Sequence, residues 1–189
     1  GLLEEAVALA RADRSQERTL TRTLNDLGVV QEALGRYEEA GASHQEAMAL
    51  RASLFGANHR SVAVSASNLS VIRYRQGDLE GAVREAGRAL QVVRTAFGPD
   101  HQRAIIVQSN LAVFRLVAGD LEGAESDYRD LWDRHARTQG PEHPVTVEVM
   151  RNLGTVLRQQ EKWAEAESVL RDVLRIQESA EEPNPGGVA

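Results

Sequence analysis

The sequence predicts an all-α protein, an α-solenoid of stacked antiparallel helix pairs. Three observations predict it: a composition of strong helix formers, a Gly-x-x-His punctuation at a fixed interval, and columns of like residues that align at that interval. Of 189 residues, 42% are apolar and only 4% aromatic, and Ala, Leu, Glu and Arg abound; such residues give up little on entering a helix. The punctuation reads LFGANHRSVA over 54–63, AFGPDHQRAI over 96–105 and TQGPEHPVTV over 138–147, each 42 residues after the last. Self-similarity at such a period marks a stack of supersecondary units that bury their apolar faces on one another.

Rows of 42 residues starting at Arg22, Val64, Ile106 and Glu148 bring the columns into register. Leu27, Leu69, Leu111 and Leu153 share one, and small Gly28, Ser70, Ala112 and Gly154 the next. Gly35, Gly77 and Gly119 align, with Glu161 in the fourth row. Tyr37, Leu79, Leu121 and Trp163 form a large apolar column, which predicts a core place for Trp163, while Ala40, Ala82, Ala124 and Ala166 do not vary. His59, His101 and His143 align too, with Pro185 as their fourth-row counterpart.

Each row reads as two amphipathic helices. In row two the helical spacing runs through Leu69 and Ile72 to Gln76, breaks at Gly77-Asp78, and resumes from Leu79 to Val93 before Gly98-Pro99 stops it. First helices are expected over 64–76, 106–118 and 148–160, and second helices over 121–139 and 163–178. All five prolines fall between these helices or in the tail, where they break no helical hydrogen bond. The divisions are therefore repeats over 21–63, 64–105, 106–147 and 148–180. Before them, LEEAVALA (3–10) matches YEEAGASH (37–44), so residues 1–20 are expected to be the second helix of a truncated preceding repeat, and the chain a piece of something longer. The Pro/Gly-rich stretch 181–189 is expected to be a disordered tail. With no capping helix after row four, Leu170, Val173, Leu174 and Ile176 should be partly exposed and open a route to self-association.

These residues resemble the tetratricopeptide repeat: Leu-small in the first helix, a Gly turn, then a large residue and Ala early in the second. The 42-residue period and the Gly-x-x-His joint are similar to the kinesin-light-chain type, and with the Arg bias (Lys162 is the sole lysine) they suggest a bacterial protein. Two features depart from the pattern. Gln31, Arg73, Arg115 and Leu157 replace its first-helix Tyr, and row four lacks both the Gly turn and the His joint. The resemblance implies a superhelix whose first helices line a concave, peptide-binding face.

Several function classes are disfavoured. The chain has no Cys, which removes disulfides and thiolate metal sites. A net charge of −6 argues against nucleic-acid binding. The longest apolar run, AVALA (6–10), is too short for a membrane span, so a cytoplasmic protein is expected. No nucleotide, metal or nucleophile motif is present, so no enzyme activity and no cofactor are expected. The aligned histidines read as caps of the joints rather than as metal ligands, because stacked repeats hold them too far apart for metal–nitrogen bonds of about 2 Å. Acid pairs such as Glu38-Glu39 read as helix N-terminal charge. Asn68-Leu69-Ser70 fits a glycosylation acceptor, but its mid-helix place argues against that role. Trp132, one residue past the core column, should be half-exposed.

What remains is a binding surface. Asn68, Asn110 and Asn152 align on the first helices, and an amide can pair with a peptide bond both as donor and as acceptor. The alternative is that they bond a neighbouring repeat. Val71 and Val113, with Tyr74, share that face. First helices of rows two to four carry Arg73, Arg75, Arg115, Arg151 and Arg158 against the single acid Glu148. The expectation is a basic stripe, with Arg75, Arg151 and Arg158 holding an acidic peptide. Its rival is arginines bonded to acids of adjacent second helices. Two other functions stay open: a sensor region of a larger signalling ATPase or transcription regulator, and an architectural part that forms homo-oligomers through its repeat ends.

Overall fold

The computed structural model describes Glu5 and residues 17–181. Among them are eight α-helices and no strand: α1 (Glu17–Ala33), α2 (Tyr37–Phe55), α3 (Arg60–Arg75), α4 (Leu79–Phe97), α5 (Gln102–Ala118), α6 (Leu121–Thr138), α7 (Pro144–Gln159) and α8 (Trp163–Glu181). The helix expected over 1–20 and the tail expected over 181–189 lie largely outside the described residues. Where they are described, residues 17–20 already belong to α1 and Glu181 ends α8. The chain divides into two compact units, residues 1–118 and residues 119–189.

First helices begin four residues before the rows do, at Arg60, Gln102 and Pro144. The joint histidines explain this. His59 Nδ1 accepts the Ser61 backbone N–H at 3.2 Å, His101 Nδ1 accepts that of Arg103 at 3.1 Å, and His143 Nδ1 accepts that of Val145 at 3.3 Å. Each imidazole thus caps a helix start in the manner of Ser or Asp, and His59 and His101 also stack on Phe55 and Phe97 at 4.8 and 4.7 Å. Pro144 corrects the reading that every proline lies between helices. It is the first residue of α7, where its missing N–H would be unpaired in any case.

Within the first unit, α1–α2 and α3–α4 are hairpins. Their turns hold Gly35 and Gly77 at φ +73° and +81°. Arg36 N–H bonds Gln31 O and Asp78 N–H bonds Arg73 O, so the last carbonyls of each first helix are satisfied in the Schellman manner. The Leu and Ala columns are core: Leu27, Leu69, Leu111, Ala40 and Ala82 are buried. Ala63, Ala66, Ala86, Ala89, Leu90, Val93, Val107 and Phe114 join α3, α4 and α5 into one cluster. Close approach takes a particular form between α1 and α2. A Cβ on Gly28 would sit 2.6 Å from the His44 ring, so glycine there makes room for a buried imidazole.

The second unit contains α6, α7 and α8. Val147, Met150 and Val173 pack with Trp132, Val169 and Ile176. Trp132, Leu170 and Ile176 are half-buried as expected, whereas Val173 is buried, because it packs against Val147 and Met150, which corrects its expected partial exposure. Trp163 overturns its core assignment. It is 61% exposed, and Leu174 on the same face is 56% exposed, because no helix after α8 covers them among the described residues. At this end Lys162 and Arg129 both reach Glu125, at 2.6 and 2.8 Å, and Arg129 continues to Glu165 at 2.7 Å.

Row four closes its turn with the same bonds as the others, Lys162 N–H to Leu157 O and Glu161 N–H to Arg158 O. Its left-handed residue is Glu161, at φ 61°, not glycine. A side chain in that conformation costs about 1–2 kcal/mol. Glu161→Gly should therefore raise stability by roughly 1 kcal/mol, less whatever entropy glycine loses on folding. A urea midpoint that stays put or falls would contradict this.

Candidate peptide-binding surface

The first unit brings α3 and α5 side by side, and two adjoining clefts open at their N-terminal halves. One is apolar, with a volume of about 150 Å³. Ala63, Val64, Ser67 and Asn68 of α3 form one wall, Arg103, Ile106 and Val107 of α5 the other, with Val93 of α4 at the base. Ile106 is 51% exposed, a β-branched apolar side chain held in solvent at the rim. The other cleft, about 450 Å³, is lined by Arg51, Arg60, Arg103 and His101 together with Ser61, Val64 and Phe97. The basic cleft lies within the range of ordinary ligand sites, and the apolar cleft is smaller, on the scale of a single side chain. Val64 and Arg103 line both clefts, so apolar and basic surface run into one another.

Local forces fix these side chains. Arg103 lies over the Phe97 ring with its guanidinium carbon 6.0 Å from the centroid, a cation–π geometry. Arg51 is buried. It donates to Ser65 Oγ at 2.7 Å, Ser61 O at 3.2 Å, Thr21 O at 3.4 Å and Asn25 Oδ1 at 3.5 Å. Burial lowers its pKa, and the charge of Asp26 acts in the opposite sense.

The expected site residues do not assemble as one set. Asn68 lines the apolar cleft, but its amide donates to Asn25 Oδ1 at 3.2 Å, a bond to the neighbouring repeat. Asn110 and Asn152 are half-buried. Val71 is half-buried, Val113 is exposed, and Tyr74 stacks on Phe114 with centroids 4.9 Å apart. Asn152, Arg151 and Arg158 belong to α7 in the second unit. The arginines divide between the two expectations. Arg75 and Arg158 are exposed and carry no ion pair among the described residues. Arg73 pairs with Asp78, whose carboxyl is held below its usual range by the Gly81 backbone N–H and by that guanidinium. Arg151 pairs with Glu148 of its own helix.

Arg60, Arg103 and Ile106 line the clefts and are not among the residues the sequence singles out as candidates. Arg60 and Arg103 sit one and two residues after a joint histidine, and that stretch reads as linker until the cap places it inside a helix. A usable signal existed at Ile106, which begins row three where Glu148 begins row four.

The family follows from the sequence match. The tetratricopeptide repeat family covers residues 19–95 and 103–179. The chain is a tetratricopeptide repeat protein. Solved structures share its fold. BtubC (BKLC) from P. vanneervenii is 23% identical with a TM-score of 0.82, over 100% of this chain and 76% of that one. A protein of Podosopora anserina assigned as a kinesin light chain, with nearly identical TPR-like repeats, is 22% identical with a TM-score of 0.84, over 96% and 87%. The apo form of RapI is 10% identical with a TM-score of 0.71, over 94% and 65%. At these identities the likeness is one of fold. No curated protein matches the sequence. Tetratricopeptide repeats generally mediate protein–protein interactions and are typically non-enzymatic scaffolds. No helix among the described residues is long and apolar enough to cross a membrane.

Proposed function

We propose that this tetratricopeptide repeat protein is an interaction module that takes a partner peptide along α3 and α5. An apolar side chain of the peptide enters the cleft between Val64 and Ile106, and a neighbouring acidic side chain meets Arg60 and Arg103. One observation carries this reading: in a protein of net charge −6, the apolar cleft opens directly onto arginines that have no carboxylate partner among the described residues. Asn110 supplies an amide for the peptide backbone, Asn68 offers it the carbonyl oxygen left over from its bond to Asn25, and Val71, Val113, Tyr74 and Arg75 extend the surface along the same helices. Arg158, with Asn152 and Arg151 beside it, offers a second basic patch on α7.

Random-peptide display on the full chain, at low and high salt, tests the reading. Peptides that place an acid next to a large apolar residue should enrich, weaken with salt because the contact is partly electrostatic, and be lost with Arg103→Glu. Enrichment of apolar peptides indifferent to salt and to that variant, or no enrichment, would overturn it.

A further inference from the structure

The basic cleft holds more positive charge than one carboxylate can use. Arg51, Arg60 and Arg103 line it with His101 and the Ser61 hydroxyl, and no Asp or Glu lines it. Arg51 is only 8% exposed, and every group it bonds is a neutral oxygen: two backbone carbonyls, a serine hydroxyl and an asparagine amide. The Asp26 charge acts on Arg51 without bonding it, and burial outweighs it, so part of the positive field is left for the cleft that Arg51 lines. Arg60 and Arg103 are exposed, and neither carries an ion pair among the described residues. A carboxylate bears one charge and is satisfied by one guanidinium fork. A phosphate monoester bears nearly two charges at neutral pH and offers three acceptor oxygens, enough for two or three arginines.

We propose that the basic cleft is a phosphate-monoester site, which takes a phosphorylated side chain of the bound peptide while the apolar cleft takes its neighbour. This rests on the peptide reading above and sharpens it: the preferred acid is a phosphate, and phosphorylation of the partner would switch the interaction on. Arg60 and Arg103 close on the phosphate oxygens from either side, and Arg51 supplies fixed positive charge from beneath.

Two probes test it on the full chain at about pH 7.5, where the phosphate is dianionic. Phenyl phosphate and phenylacetate are titrated while the arginine Nε–H signals are followed by NMR. Phenyl phosphate should move the Arg60 and Arg103 signals saturably and bind roughly tenfold tighter than phenylacetate. Arg60→Ala and Arg103→Ala, both at exposed positions, should each weaken it several-fold and leave the circular dichroism unchanged. Equal affinity for the two probes, or shifts that do not saturate and ignore both variants, would overturn the site. In the second arm, a display-selected peptide is made with phosphoserine in place of its acid. Roughly tenfold tighter binding supports the proposal, and equal or weaker binding overturns it while the acidic-peptide reading survives. If no peptide is selected, the peptide reading fails by itself. Phenyl phosphate binding would then assign the cleft to a free phosphate ester and overturn the phosphopeptide.

Discussion

Acidification from pH 7 to pH 4.5 should remove a large part of the stability of the first unit, and His44 is the reason. Its ring is fully buried beneath Gly28, and neither nitrogen has a hydrogen-bond partner. Burial first, and the nearby Arg51 charge second, push its pKa from 6.5 down to about 4. The folded pKa lies below the unfolded one, so on acidification the unfolded chain takes up this proton first. Stability from this source is complete above pH 6.5, falls as pH drops towards about 4, and is level below that. At about 1.4 kcal/mol per pH unit, the whole loss is ~3 kcal/mol. His135, buried in the second unit, has its pKa lowered by burial and by His143 and acts with the same sign. Urea midpoints across this window should show the slope in the wild type. His44→Leu should flatten much of it, since row four already seats Leu170 against a glycine, Gly154. A wild-type midpoint that does not change between pH 6.5 and 4.5 would contradict this account of His44.

Ile106→Asp should abolish peptide capture without unfolding the protein. The side chain is half in solvent at the rim of the apolar cleft, so the variant removes no core packing. It does set a carboxylate where the peptide's apolar anchor must enter and beside Arg103, which it would neutralise. Losing one central anchor of this kind costs about 2 kcal/mol or more, roughly a thirtyfold loss of affinity. Binding of a selected peptide, followed by fluorescence anisotropy alongside helicity, checks the expectation. Unchanged affinity would move the anchor elsewhere.

The fold was legible because burial left its mark at a fixed period. Leu27, Leu69, Leu111 and Leu153 are all buried, as are Ala40, Ala82, Ala124 and Ala166. Trp163 misled because an apolar column was read as a buried one. Its column is half-buried even in the inner rows, at Tyr37, Leu79 and Leu121, and Trp163 is the most exposed of the four. Glu161 was visible as a break in the glycine column, yet the backbone keeps the glycine conformation there at a cost in strain. The candidate site was less legible. Arginines counted on the first helices proved to be partly engaged: Arg73 secures the Asp78 cap and Arg151 pairs within α7. Those that line the clefts, Arg60 and Arg103, lay in a segment that sequence pattern assigns to a joint. Only the histidine caps show that the helix, and with it the lining of the clefts, begins earlier. His44 shares its column with Ala86, Tyr128 and Leu170, and no periodicity announces a buried, unpaired imidazole.

The central claim is that α3 and α5 form the face that binds a peptide. Amide hydrogen exchange with and without a saturating selected peptide tests it most directly. Protection gathered at the start of α3 and α5, over residues 60–68 and 102–110, is the predicted result. Protection on the outer faces of α2 and α4, with α3 and α5 unchanged, would contradict it.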